Sequence, residues 1–166
     1  MKTILIPTDF SEKSLQLIKN AVLHFPEESI QIVLATGYQT SILNWSTKSK
    51  LVSIIADKKF YKLLSDIKLE HGSKISNVNI DLYTGKTNEA FKAFLESNNI
   101  EDAIIPKNKL IQFPNNKCFD ICDLIHSFSP NVSSVDYESD ENSPPKRSKL
   151  FSLKNQFSLK KLIIIN

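Results

Sequence analysis

Glycine is scarce in this chain, with three glycines among 166 residues. Loops that hold phosphate groups through backbone N–H donors need glycine, because the backbone must come close to the ligand. Cysteine is scarce too, and two cysteines do not make a disulfide framework. These two absences argue against a disulfide-stabilised secreted domain and make a glycine-rich phosphate loop hard to place.

Long apolar runs and a strong charge of one sign are also missing. No run approaches the roughly 18 apolar residues of a membrane span, and the apolar run after Thr3 is too short for a signal peptide. The net charge is only +3, from 21 basic and 18 acidic residues. Such a mild balance indicates a mixed, solvated surface and gives no reason to expect a nucleic-acid partner. We therefore expect a cytoplasmic protein without a membrane or nucleic-acid partner.

Apolar, β-rich runs alternate with segments of helical periodicity over residues 1–135. Parallel strands need crossover connections, and helices supply them. The pattern predicts one α/β domain with three α/β/α layers around a five-stranded parallel sheet. The predicted strands are Thr3–Pro7, Ser29–Thr36, Val78–Tyr83, Ala103–Pro106 and Asn131–Tyr137. The predicted helices begin at Ser11, span Lys48–His71, cover Ala90–Leu95 and span Asn116–Phe128.

The composition changes after residue 135. Residues 136–156, which include "DYESDENSPPKRSK", are acidic, then proline-broken, then basic, and they predict a charged linker. Residues 157–166 turn apolar again, and Leu162–Ile165 predicts an extra C-terminal strand. We expect such a strand to pair with an edge of its own sheet or with a second copy of the chain.

The stretch "ILIPTDFSEKS" places an acid, Asp9, directly after the first strand. In parallel α/β sheets, ligands bind at the carboxyl ends of the strands, where the strand order reverses. Asp9, Thr36, Gly85 and Pro106 all fall at or just after predicted strand ends. Asp9 has two open interpretations, because an acid before a helix can hold a ligand or can steady the helix that begins at Ser11.

Cys118, Cys122 and His126 recur every four residues on the predicted fourth helix. This spacing is compatible with metal ligands, but Ile121 and Ile125 interleave at the same spacing, and free cysteine behaves as a small buried hydrophobe. We therefore predict core packing and no metal site. No nucleophile motif accompanies any histidine, so the sequence predicts a protein that is not an enzyme.

Two stretches resemble the universal stress protein family. Ile4–Ser11 resembles its opening strand, Pro-Thr-Asp turn and serine-started helix. "VNIDLYTGKTNEAFKAFLESNNIEDAIIP", Val78–Pro106, resembles its later strand, glycine, helix and acid-announced strand, with Gly85 and Asp102 as the glycine and the acid. The resemblance covers roughly residues 1–135.

The resemblance implies a Rossmann-like fold, similar to the adenine nucleotide alpha hydrolases, and usually a homodimer. Many family members bind ATP, and others do not. In those that do, the acid after the first strand contacts the adenosine, the residue ending the second strand holds the base, and the residue before the glycine loop lies against the nucleotide. These positions match Asp9, Thr36 and Ile105. The remaining candidate ligand-binding residues are Pro7, Thr8, Lys107 and Lys109.

The family's phosphate loop reads Gly-x-x-Gly, then about nine residues, then Gly-Ser or Gly-Thr. Pro106 and Lys109 stand at the first two glycine positions, and no glycine follows them. We therefore predict a dimeric regulatory or interaction protein with a degenerate nucleotide site and no cofactor. The alternative is a protein that binds ATP or AMP, using Asp9 and Thr36 for the adenosine and Lys107 and Lys109 for the phosphates.

Overall fold

The computed structural model of the chain describes residues 1–40 and 45–136. Its strands are β1 (Lys2–Pro7), β2 (Ile30–Tyr38), β3 (Ile75–Tyr83), β4 (Asp102–Pro106), β5 (Cys118–Phe119) and β6 (Val132–Val135). Its helices are α1 (Glu12–His24), α2 (Trp45–Ile55), α3 (Lys58–Glu70), α4 (Asn88–Ser97) and α5 (Cys122–Phe128).

The main sheet runs in the order β3-β2-β1-β4-β6, and all of its neighbouring strands are parallel. The short strand β5 lies off this path and pairs antiparallel with β2. The prediction of a five-stranded parallel sheet with flanking helices is confirmed. The strand order reverses between β1 and β4, so their carboxyl ends flank the crevice in which such sheets bind ligands.

Two apolar clusters, one on each face of the sheet, form the core. Ile4 and Ile6 of β1 pack into the cluster that contains the buried residues of α1 and α3, whereas Leu5 between them packs into the cluster beneath α4 and α5. Successive side chains of a strand point to opposite faces. The continuous apolar run that begins the chain is therefore explained by burial on both faces.

Local capping decides where two helices begin. Ser11 is the N-cap of α1 as predicted, and its hydroxyl accepts a hydrogen bond from Ser14 N at 3.1 Å. The predicted single helix over Lys48–His71 is wrong, because Asp57 interrupts it. The Asp57 carboxylate accepts from Phe60 N at 2.7 Å and starts α3 as a separate helix.

The predicted helix over Asn116–Phe128 is also wrong in nearly its first half. Cys118 and Phe119 are extended and form β5, and α5 begins only at Cys122. Tertiary pairing with β2 overrides the helical spacing of the cysteines.

The predicted linker and C-terminal strand, residues 137–166, lie outside the described residues. Within the described residues, no helix is long and apolar enough to cross a membrane.

A buried carboxylate ties the edge strand β3 to two helices. Asp81 is 7% exposed. Its carboxylate pairs with Lys48 of α2, accepts from Leu82 N at 2.7 Å and accepts from the side-chain amide of Asn98 at 3.3 Å. A buried charge is tolerated only when it is paired and hydrogen-bonded in this way.

We expect Asp81→Ala to lower the free energy of unfolding by about 2 kcal/mol, because it removes the acceptor of three donors. Urea denaturation followed by circular dichroism measures this change. Asp66→Ala is the control: Asp66 is exposed and makes no ion pair with a described residue, so the expected change is within about 0.5 kcal/mol. Equal losses in the two variants would contradict the assignment.

Candidate functional site

The tip of β1 is held in a tight turn by its own side chains. Thr8 Oγ1 accepts from Phe10 N at 3.0 Å and lies 2.8 Å from Ser14 Oγ. Phe10 adopts a left-handed backbone with φ of 62°, an unfavourable conformation for a residue with a bulky side chain. Its ring packs edge-on against Phe60, with 5.2 Å between the ring centroids. Packing of the aromatic ring thus fixes the strained turn that carries Asp9.

Both carboxylate oxygens of Asp9 are hydrogen-bonded to the chain itself. Oδ1 accepts from Ser11 N at 3.1 Å and from Ser11 Oγ at 2.6 Å. Oδ2 accepts from Gln112 N at 2.9 Å, a contact between positions 103 residues apart. Asp9 is 3% exposed. The carboxylate therefore steadies the helix cap at Ser11 and also holds the loop that follows β4.

The loop after β4 returns across the carboxyl end of the sheet. Leu110 anchors it in the core with 4% exposure. Further on, Cys118 and Phe119 pair with Tyr38 and Gly37 at the end of β2. A Cβ at Gly37 would lie 2.3 Å from the Phe119 ring. Gly37, which lies just beyond the predicted strand Ser29–Thr36 but within β2, is therefore the position that admits this ring.

A second glycine serves similar packing nearby. A Cβ at Gly85 would lie 2.6 Å from both the Tyr83 hydroxyl and the Ala90 side chain. The Tyr83 hydroxyl donates to Thr87 O at 3.0 Å, and burial raises the pKa of this phenol. The Tyr83 ring contacts Phe119 edge-on, with 6.4 Å between the ring centroids. Two of the three glycines thus bring parts of the chain together.

Thr36, near the end of β2, is the candidate residue whose polar atom is buried without a partner among the described residues. It is 1% exposed, and its hydroxyl finds no hydrogen-bond partner among the described residues. Pro7 and Thr8 are buried as well, and Thr8 N donates to Ala35 O at 2.9 Å. The structure therefore buries Pro7, Thr8 and Thr36.

The candidate residues line two different cavities. Asp9 lines a cavity of about 760 Å³ together with residues from the first turn of α1 and from the α2–α3 junction. Ile105, Lys107 and Lys109 line another of about 300 Å³. Lys107 is exposed and pairs with Asp136 at 2.6 Å. The candidates for the adenosine and those for the phosphates do not share a cavity in this arrangement.

The loop pattern implied by the resemblance can be followed to its end. About nine residues after Lys109, where a third glycine and then a serine or threonine would stand, the chain has Phe119 and Asp120. Phe119 is the ring that packs on Gly37. The Asp120 carboxylate accepts from Cys122 N at 2.8 Å and adds negative charge at this position. Sequence reasoning missed Phe119. Counting along the loop pattern would have identified its position, whereas its contact with Gly37 follows from the structure.

Cys118, Cys122 and His126 are not on one helix. Cys118 lies in β5 and is buried in the core, whereas Cys122 and His126 belong to α5. Burial, with Asp120 nearby, raises the pKa of the Cys122 thiol well above its usual range. No group of three or more metal-ligating residues occurs among the described residues. Core packing of Cys118 agrees with the prediction, but the same prediction is wrong for His126, which is exposed, and Cys122 is only half-buried.

No protein-family model and no curated protein matches the chain. Solved structures do match it. Hypothetical protein MJ0577 is 16% identical, with a TM-score of 0.50, over 86% of this chain and 98% of that one. Universal stress protein UspA from Lactobacillus plantarum is 11% identical, with a TM-score of 0.47, over 81% and 97%.

A universal stress protein family protein from Arabidopsis thaliana with AMP bound is 7% identical, with a TM-score of 0.48, over 87% of this chain and 97% of that one. Two of these three neighbours are named as universal stress proteins. At these identities the likeness concerns the fold, a parallel sheet with helices on both faces.

Gly37 and Phe119 give a direct test of the packing at the crevice. We expect Gly37→Ala to destabilise the protein by about 1–3 kcal/mol, because its methyl group would overlap the ring. In a Phe119→Ala background the same substitution should cost at least about 1 kcal/mol less, since the overlap is gone. Urea denaturation of the four proteins measures this coupling. Additive effects would contradict the contact.

Proposed function

We propose that the chain is a universal stress protein-like regulatory or interaction protein of the cytoplasm, without enzymatic activity, that no longer binds ATP in the crevice of this fold. The observation that carries the proposal is the hydrogen bond from Gln112 N to Asp9 Oδ2, at 2.9 Å. A carboxylate whose oxygens already accept three donors offers little to a ribose hydroxyl. Displacing Gln112 would leave its backbone N–H to find another acceptor.

The phosphate side of the crevice supports the same proposal. Pro106 has no N–H to donate where the loop pattern calls for glycine. Lys107 is engaged with Asp136. Asp120 and Asp123 face the same cavity as Lys107 and Lys109, so carboxylates there oppose a phosphate. A lysine is also a point charge on a flexible stem and does not replace a fixed cradle of backbone donors.

One observation favours the alternative, a nucleotide held by Asp9 and Thr36 with Lys107 and Lys109 at the phosphates. The Thr36 hydroxyl is buried without a partner among the described residues, and such atoms are uncommon in folded proteins. A nucleobase in contact with β2 would satisfy this hydroxyl. That arrangement requires the loop carrying Gln112 and the Phe119 ring to move away from the strand ends.

Calorimetric titration with ATP, AMP and adenosine, together with thermal shifts at millimolar ligand, separates the two functions. We expect no saturable heat and no rise in melting temperature, because a ligand stabilises only a native state that it binds. Chromatography of the same ATP samples should find the nucleotide intact. Thr36→Val is the matched variant, since it removes the unpaired hydroxyl and keeps the side-chain shape. A melting-temperature rise that Thr36→Val abolishes would establish the alternative.

We further propose a homodimer that forms through β6, an edge of the main sheet in the described part of the chain. Asn131 O and Val135 O accept from Ala103 N and Lys107 N of β4. Backbone groups alternate in direction along a strand, so the N–H and C=O of Val132 and Ser134 point away from β4. An unpaired edge of this kind is a template for pairing with a second strand.

Ser134→Pro tests this edge, because proline removes an outward N–H and leaves the groups that pair with β4. Ser134 is exposed, so the folded monomer should tolerate the change. We expect sedimentation or light scattering to give a dimer mass for the parent and for Ser134→Ala, and about half that mass for Ser134→Pro. A dimer that survives Ser134→Pro, or a monomeric parent, would contradict the proposal.

A further inference from the structure

A groove that does not include Asp9 lies along β3, at the opposite edge of the sheet from β6. Its volume is about 920 Å³, and α2, α3 and β3 enclose it. Val52 and Leu64 form apolar walls beside Val78 and Ile80 of β3. Leu69 also lines the groove and is 82% exposed, so it adds apolar surface that a partner could cover.

β3 presents free backbone groups along this groove. In the described chain β3 pairs only with β2. Ile30 N donates to Lys74 O, and with the register Ile32↔Val78 the alternation turns the N–H and C=O of Val78 and Ile80 outward. The same two residues line the groove. A strand added to this edge would therefore gain main-chain hydrogen bonds and place its side chains in an apolar trough.

The charge of α3 differs between its two flanks. Asp66 and Glu70 line the cleft that faces α1, where Lys19 pairs with Glu70 at 3.1 Å. Lys68 lines the groove beside β3 and makes no ion pair with a described residue. Asp81 is the one carboxylate among the described residues that line the groove, and Lys48, Leu82 and Asn98 already satisfy it. The groove therefore carries one uncompensated positive charge.

Two more lysines add to the positive charge of α3. Lys58 and Lys62 are exposed on the same helix, and neither forms an ion pair within the described residues. Residues 45–74 carry seven lysines against three acidic residues, a local excess of positive charge. Such a field attracts acidic segments and raises their association rate.

We propose that this groove is a docking site for an extended acidic segment of a partner protein, which adds to β3 as a further strand. Main-chain pairing with Val78 and Ile80 supplies the hydrogen bonds, the apolar walls take one face of the segment, and the positive field around Lys68 attracts the carboxylates on its other face over a longer distance. A second copy of this chain fits less well, because it would bring the same excess of lysine to the interface. The groove does not include Asp9 or Thr36. A negative result for peptide binding therefore leaves the proposed function untouched, and nucleotide binding would leave this proposal untouched.

The probe is a fluorescein-labelled eight-residue peptide of alternating valine and glutamate, titrated with the full chain and followed by fluorescence anisotropy. An extended peptide of this pattern presents apolar side chains on one face and carboxylates on the other. We expect saturable binding that weakens as salt is added. The same peptide with lysine in place of glutamate should bind at least tenfold more weakly.

Lys68→Glu should weaken binding of the acidic peptide at least fivefold, because it replaces the attracting charge with a repelling one. Lys117→Glu makes the same charge change at an exposed position outside the groove, and it should leave binding within twofold. Val78→Pro removes an outward N–H and should abolish binding, and circular dichroism verifies that this variant is folded. If Val78→Pro does not fold, the comparison of Lys68→Glu with Lys117→Glu decides.

Several results would overturn the proposal. The first is the absence of saturable binding by the acidic peptide. The second is equal binding of both peptides, or equal loss in the two charge variants, which would indicate a non-specific contact. The third is binding unchanged in folded Val78→Pro, which would exclude strand addition. The fourth is a multimer of the parent chain that Val78→Pro dissociates, which would assign the edge to a second copy.

Discussion

The Asp9 carboxylate joins the end of β1 to the start of α1 and to the loop after β4, and the rest of the structure depends on this connection. Its oxygens hold the cap of α1 through Ser11 and the loop after β4 through Gln112. In a water-poor environment these charge-assisted bonds are stronger than bonds between neutral groups. The acid at the switch point of the sheet thus acts as a structural acceptor. Donors of the chain itself thus already bind both oxygens of this carboxylate.

In the same region, glycines of this chain allow close packing of aromatic side chains. Where the loop pattern calls for glycine, the chain has Pro106, Lys109 and Phe119. Its own glycines at positions 37 and 85 instead admit the rings of Phe119 and Tyr83. The absence of a side chain, which elsewhere in this fold lets a backbone approach phosphate, here allows tight packing of aromatic side chains. A crevice filled in this way is consistent with a role based on surfaces.

Those surfaces lie at the two edges of the sheet. A parallel sheet in three layers covers its faces with helices but leaves both edge strands with unpaired backbone groups. β6 is short and carries small polar residues, whereas β3 is longer and lies beside an apolar groove with a free lysine charge at Lys68. The two edges are therefore chemically distinct, in keeping with the different partners that we propose for them, a second copy at β6 and an acidic segment at β3.

The sequence by itself determined the fold, because its apolar runs alternate with helical periodicity and because Ser11 and the run before Asp9 act through neighbouring residues. It also determined that residue 106 has no backbone N–H to donate, since proline lacks one in any structure. Only the tertiary structure decided what Asp9 does. Its third donor is a backbone N–H 103 residues away, and backbone groups carry no mark in a sequence. Likewise, β5 is two residues long, too short for any periodicity, and pairing with β2 alone places Phe119 over Gly37.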